Sequence, residues 1–204
     1  MQKQYSSTRA VYLKVILASR SSARKEILEK IGFEVIQVPA GVDEAKVEVA
    51  SLEEAVELAV RNAVRKAEMV FEEYPRDVVI AADTLIYLNG RILGKPRDFE
   101  EAEFFLKDMR GKWHKVVSGY AVYTPRGSLS GYEITDVKMR EYSDREIEYY
   151  LSSGEFKGKA GGYAIQGLGA FLVEKVNGCF YNVAGLPLAK VVQALLLLSY
   201  WPPR

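Results

Sequence analysis

The hydrophobic pattern opens with a short apolar run, Val15–Ala18, that breaks without a spacer into Ser19, Arg20, Ser21, Ser22 and Arg24. Helical spacing follows at once: Ile27, Leu28 and Ile31 share one face, and Lys25, Glu26, Glu29 and Lys30 take the other. This predicts a strand running into a helix that ends near Gly32, with Ser21 or Ser22 as its cap. "FEVIQVP" reads as a second strand and "AGVDEAKVEVA" as a polar connection. Ser51 opens a long amphipathic helix to Tyr74, with Glu54 completing a capping-box pattern. "DVVIAADTLIYL" is a nearly continuous apolar run interrupted by Asp83 and Thr84, and Asn89-Gly90 after it signals a hairpin.

Asp98 is placed to cap a helix over "FEEAEFFLKDM". Two long alternating strands follow, joined at Pro125-Arg126-Gly127, and Ser143 opens another helix. A glycine-rich passage, "GKAGGYAIQGLGAFLVEKVNG", precedes a last helix beginning near Leu186–Pro187, whose apolar end "VVQALLLLSYW" reads as buried. Helices mixed with hairpins predict an α/β fold with a mixed sheet, and residues 1–204 show no repeat or linker that would divide them.

Composition narrows the function classes. With 204 residues, 49% of them hydrophobic, the chain can bury a sizeable core. A net charge of +1 gives no global basic field, which argues against nucleic acid as the partner. Cys179 is the one cysteine and His114 the one histidine, so disulfide frameworks and Cys- or His-based zinc sites are excluded. His114 reads as a structural, hydrogen-bonding residue and Cys179 as a small buried one. No targeting segment is visible, and the apolar tail is shorter than the roughly 20 residues that span a bilayer, so no membrane is expected and a cytoplasmic setting is.

Candidate chemistry clusters at the interruptions. A helix N-terminus offers free N–H groups and partial positive charge, and serines and arginines beside it suit phosphate. Asp83 within an apolar strand is costly unless it is paired, hydrogen-bonded or bound to metal; the alternative is an Asp at a strand end satisfying a loop. "GRILGKPRD" fails as a phosphate-binding P-loop: three residues separate its glycines, and Pro96 stands where Ser or Thr is needed. Lys95, held extended before Pro96, remains a candidate phosphate contact beside the alternative of a solvated loop lysine. Gln166 lies among glycines, where an amide offers a donor and an acceptor to a nucleobase edge. Arg20, Arg24 and Lys95 for anionic oxygens, Asp43, Glu44 and Asp83 for a hard cation, and Gln166 for a flat polar ligand together describe a nucleotide site.

The stretches "LASRSSARKEIL", "GVDE", "AADTLIYLNGRILGKPRD", "GKAGGYAIQGLG" and "NGCFYNVAGLPL" resemble, in order, those of the Maf nucleoside triphosphate pyrophosphatases. The resemblance implies an elongated, two-lobed α/β fold with a central cleft, like the inosine-triphosphate pyrophosphatases. It implies cleavage between the α- and β-phosphates with a divalent metal, Mg2+ or Mn2+. Asp83 falls on the proton-acceptor position, and Ser19, Arg24, Glu44 and Lys95 fall on other site positions, with Glu44 and Asp83 as metal ligands. The dTTP/UTP type carries Arg, Thr and Gln at three specificity positions; here they are Ala23, Thr84 and Gln166, two of which match. CTP and modified pyrimidine nucleotides are further candidate substrates, and a homodimer is compatible with the resemblance. A second departure is Asn62, where the family pattern "LAxxKA" carries lysine. Arg61 and Lys66 are the nearby cations; periodicity separates their faces, so the replacement stays open at this point. Two rivals stand beside this reading: a 7-methyl-GTP pyrophosphatase, and a nucleotide- or nucleic-acid-binding regulator of cell division.

Overall fold

The computed structural model describes residues 13–41 and 49–201. Strands β1 (Leu13–Leu17), β2 (Phe33–Gln37), β3 (Val78–Leu88), β4 (Arg91–Leu93), β5 (Trp113–Thr124), β6 (Gly127–Met139) and β7 (Val173–Asn177) form one mixed sheet. Its order is β2-β1-β3-β5-β6-β7, with β4 paired to β3. The β1 pairings to β2 and β3 are parallel and the others antiparallel, with β3–β4 and β5–β6 as hairpins. Asn89 and Gly90 adopt φ of 49° and 83°, the twist that the β3–β4 hairpin turn requires.

The helices are α1 (Ser22–Lys30), α2 (Leu52–Glu73), α3 (Phe99–Met109), α4 (Asp144–Ser152), α5 (Phe180–Val183) and α6 (Leu188–Leu197). Ser21, Ser51, Asp98 and Ser143 cap α1 to α4, each accepting from the backbone N–H three residues on. The capping box is reciprocal at Ser143–Glu146. At Ser51 it is not: Glu54 reaches past the cap to the Ala50 N–H at 2.8 Å. The one-turn α5 is too short to leave a periodic signature. The end of α6 departs from the buried reading, with Leu196 and Leu197 exposed while Val191 and Leu195 are buried.

β3 organises the core. Val79 and Ala81 pack with Ala63, Ala67 and Val70 of α2 on one face. On the opposite face Val78, Ile80 and Ala82 join α1 and α6, whereas Ile86 and Leu88 join α3 and α4. Between these two clusters the strand carries Asp83 and Thr84, which alternation sends to opposite faces. The edge of β3 changes partner at the same place. β1 covers it as far as Ile80, and β4 takes over at Ile86. The two polar residues therefore lie where the core divides and one sheet edge is uncovered.

Candidate active site

A cleft of about 720 Å3 fills that gap, at the carboxyl end of β1 and the N-terminus of α1. Ligands of open α/β sheets bind at such a place, where strand ends and helix N-termini meet. Its lining includes Ser19, Arg20, Ala23 and Arg24 from the β1–α1 segment, Asp83 and Thr84 from β3, and Lys95, Lys157, Lys159, Tyr163 and Gln166 from later loops.

Arg24 is held by neighbouring Ser19 and by Thr84 and Gly185 from distant parts of the chain. Its Nε donates to the Gly185 carbonyl at 2.7 Å, Nη1 to Ser19 Oγ at 3.1 Å, and Nη2 to Thr84 Oγ1 at 3.1 Å. The Ser19 hydroxyl also accepts from the Ser21 N–H. Ser21 caps the helix while Ser19 orients the arginine, so the serines divide two tasks between them. Thr84 Oγ1 lies 2.8 Å from the buried Ser118 hydroxyl and 3.2 Å from the Gly185 carbonyl.

Asp83 is buried in the middle of β3, not at a strand end. Its Oδ1 accepts from Lys66 Nζ at 2.6 Å and its Oδ2 from Asn62 Nδ2 at 2.9 Å. Both donors come from α2, one turn apart, and both are buried. Arg61 is exposed, so Lys66 is the cation that reaches the carboxylate. A glycine makes this approach possible. Gly119 of β5 pairs directly with Asp83, and a Cβ there would lie 2.2 Å from the Ala59 carbonyl oxygen of α2. The helix backbone rests directly on the sheet at that point.

Asn62 and Lys66 carry the site's least visible signal. Both fall on the alanine-rich stripe of α2, with Ala59, Ala63 and Ala67. Polar groups on such a stripe need partners within the protein.

The cleft brings together Ser19, Ala23, Arg24, Asp83, Thr84, Lys95 and Gln166 from four separate segments. Glu44 and Asp43 lie outside the described residues. Gln166 is exposed in the lining and shows no hydrogen bond to a described residue. His114 is not part of the lining: it is buried, and its Nε2 lies 2.8 Å from the Tyr163 hydroxyl. Burial lowers its pKa to about 4, opposed by the charge of Asp136. Cys179 is half-buried and precedes α5.

The electrostatics are one-sided. Arg20, Arg24, Lys66, Lys95, Lys157 and Lys159 line the cleft, and Asp83 is the single carboxylate among its described residues. Such a wall suits a polyanion. Among the described residues no group of three or more His, Cys, Asp or Glu could hold a metal ion. One carboxylate does fit magnesium or manganese, which take one or two protein carboxylates and complete their shell from substrate phosphates.

The family model described as Maf-like protein matches residues 14–198. The dTTP/UTP pyrophosphatase of Pyrococcus furiosus is 46% identical over 90% of this chain and 95% of that protein. The proteins of the same name from Pyrococcus horikoshii and Aquifex aeolicus are 42% and 43% identical, over 93% and 92% of this chain and 99% and 96% of theirs. The solved structure of the Staphylococcus aureus Ham1 protein is a more distant likeness, with a TM-score of 0.49 and 17% identity over 92% of this chain and 97% of that one. The chain belongs to the Maf-like protein family.

Proposed function

We propose that this chain hydrolyses dTTP and UTP to the nucleoside monophosphate and pyrophosphate. The observation that carries the reading is a buried carboxylate, Asp83, set among six cationic side chains of the described residues in one cleft. Relatives named dTTP/UTP pyrophosphatase support the substrate class.

The triphosphate's negative charges repel an attacking water, and the cations offset this. Arg24, already oriented by Ser19, Thr84 and Gly185, meets a phosphate without reorganising. Lys95, Arg20, Lys157 and Lys159 supply further positive charge around the chain of phosphates. Asp83 orients the water and accepts its proton as the water oxygen bonds to the α-phosphorus. The bond from that phosphorus to the bridging oxygen breaks, and pyrophosphate leaves. A divalent cation held by Asp83 and Glu44 would neutralise phosphate charge and acidify bound water. Gln166 pairs with the base: its carbonyl accepts from N3–H of uracil or thymine, and its amide donates to the neighbouring ring carbonyl. CTP is a secondary substrate on this geometry, because a flipped amide serves cytosine.

Of the rival readings, 7-methyl-GTP specificity calls for an acceptor-only side chain facing a donor-rich edge, and Gln166 is an amide. Among the described residues no helix is long and apolar enough to cross a membrane.

Phosphorus NMR of a UTP digest tests the reaction. UMP and pyrophosphate are the expected first products, and UDP with inorganic phosphate would overturn the assignment. Asp83→Asn is expected to lower kcat by at least ~10²-fold. Its fold must be checked in parallel, because a neutral amide breaks the buried ion pair between Asp83 and Lys66, and breaking such a pair costs about 3–5 kcal/mol.

A further inference from the structure

We infer that Lys66 is a positioning residue for the reaction, and that positions 62 and 66 of α2 are two interchangeable seats for the ammonium that holds Asp83. The inference rests on the proposed pyrophosphatase activity and concerns how its carboxylate is aimed.

Asp83 receives one donor on each oxygen, Lys66 on Oδ1 and Asn62 on Oδ2. Rotating the carboxyl group about its Cβ–Cγ bond breaks both contacts at once. The two donors therefore fix the plane of the carboxylate and leave one acceptor direction on each oxygen for water or a cation. Lys66 itself lines the cleft beside Asp83, so the pair belongs to the site wall and not to the remote core.

A buried ion pair is a poor device for stability alone, since a well-packed apolar pair is often as stable or more so. The apolar alternative was available here: Ala63, Ala67 and Val70 on the same helix pack against Val79 and Ala81 of the same strand. A lysine in that company is accounted for by orientation and charge at Asp83.

Interchangeability follows from helix geometry. Residues 62 and 66 are one turn apart, and both side chains already reach the same carboxylate. Gly119 keeps the α2 backbone close to β5 beside that carboxylate. An ammonium at 62 and the longer amide of a glutamine at 66 would present one charged and one neutral donor to Asp83, with their seats exchanged. The motif pattern that places lysine at 62 and the arrangement found here then serve the same purpose.

The experiment compares wild type, Lys66→Met, Lys66→Gln and the double exchange Asn62→Lys/Lys66→Gln, using UTP turnover with pyrophosphate detection and a thermal melt of each protein. Lys66→Met is expected to lower kcat about 10- to 100-fold, the usual cost of removing a group that orients a reacting one, while KM changes less than about threefold. The double exchange is expected to restore at least a third of wild-type kcat. If Lys66→Met fails to fold, Lys66→Gln, which keeps a donor without the charge, takes its place with the same expected loss. Should all single variants misfold, the exchange alone decides. Wild-type kcat in a folded Lys66→Met or Lys66→Gln protein, or a folded double exchange no more active than the single variants, would overturn the inference. A wild type that leaves UTP, dTTP and CTP intact would instead overturn the proposed function, and this role with it.

Discussion

The Arg24 guanidinium donates to the Thr84 hydroxyl at 3.1 Å, joining the first turn of α1 to the middle of β3. The contact explains why a threonine follows the buried aspartate. Alternation turns Thr84 away from the Lys66 side of the sheet and toward α1, where its hydroxyl meets Arg24, Ser118 and the Gly185 carbonyl. Thr84 thus supports Arg24, the arginine proposed to meet phosphate, while the family resemblance assigns the same position to nucleotide specificity. Thr84→Val separates the two roles. It removes the hydroxyl at nearly constant shape and leaves Ser118 buried without that partner. A stability loss of about 1–3 kcal/mol is expected by urea unfolding. kcat/KM should fall by a similar factor for UTP, dTTP and CTP, because a misaligned Arg24 affects every triphosphate equally. A change in the UTP-to-CTP ratio beyond about threefold would return Thr84 to base reading.

In the proposed function Gln166 is the residue that pairs with the base. A carboxylate cannot donate to the uracil carbonyl, so Gln166→Glu should lower kcat/KM for UTP by roughly 5- to 150-fold, the equivalent of about 1–3 kcal/mol for a mispaired base edge. Turnover of 7-methyl-GTP should rise relative to UTP, because that base presents a row of donors. Steady-state kinetics on the four nucleotides check both statements. UTP hydrolysis unaffected by the substitution would remove Gln166 from base recognition.

Much of this architecture was legible locally. Caps at Ser21, Ser51, Asp98 and Ser143, and the Asn89-Gly90 hairpin, are set by residues within three or four positions of one another. The placement of Ser19 to Arg24 could also be read, because the apolar run breaks into hydroxyls and arginines just where helical spacing begins. Lys66 was not legible in the same way. In an amphipathic helix a lysine defaults to solvent, and its burial depends on Asp83, seventeen residues on, and on the glycine at position 119 that admits the helix backbone. Nor could the exposure of Leu196 and Leu197 be read from an apolar run. A helix lying on a sheet buries one face only, and the run "LLLL" covers more than one.

Gly119 links the long-range packing to the chemistry. Its φ is not in the left-handed region, so the case for glycine rests on contact alone: an added Cβ would lie 2.2 Å from the Ala59 carbonyl oxygen and 2.4 Å from the Val60 nitrogen. These are backbone atoms, and no rotamer change can move them aside. Gly119→Ala must push α2 off β5, at a cost of about 1–3 kcal/mol for overpacking. The same displacement draws Asn62 and Lys66 away from Asp83. Activity is therefore expected to fall further than stability explains, with kcat down at least about tenfold in protein that is still folded at the assay temperature. A melt and a kcat measured on one preparation test this, and a fully active, destabilised variant would show that the α2 contact does not aim Asp83.

His114 governs a different property, the response to acid. It is buried on β5, its Nδ1 has no hydrogen-bond partner among the described residues, and its Nε2 meets the Tyr163 hydroxyl. Desolvation lowers its pKa from 6.5 to about 4 in the folded protein, against the opposing pull of Asp136. The unfolded chain therefore binds a proton between these two values when the folded chain does not. Stability from the neutral imidazole is fully present above the unfolded pKa and is lost as pH falls from about 6.5 toward 4. The loss between pH 7 and 5 is about 2 kcal/mol, from 1.36 kcal/mol per unit of pKa difference. Carboxylates held low in the folded protein contribute with the same sign but mainly below about pH 5, where their unfolded forms take up protons: Glu146 by the Ser143 backbone N–H and then Arg140, Asp144 by Arg110, and Asp108, against its own burial, by Arg91 and Lys112. The interval from pH 7 to 5 thus isolates the histidine. His114→Gln keeps a polar side chain for Tyr163 but cannot titrate. Urea unfolding at half-unit steps of pH should give a steep loss of stability for wild type and a nearly flat line for the variant across this interval. Parallel lines would mean that His114 becomes protonated in the folded protein at its ordinary pKa, and that its burial carries no acid penalty.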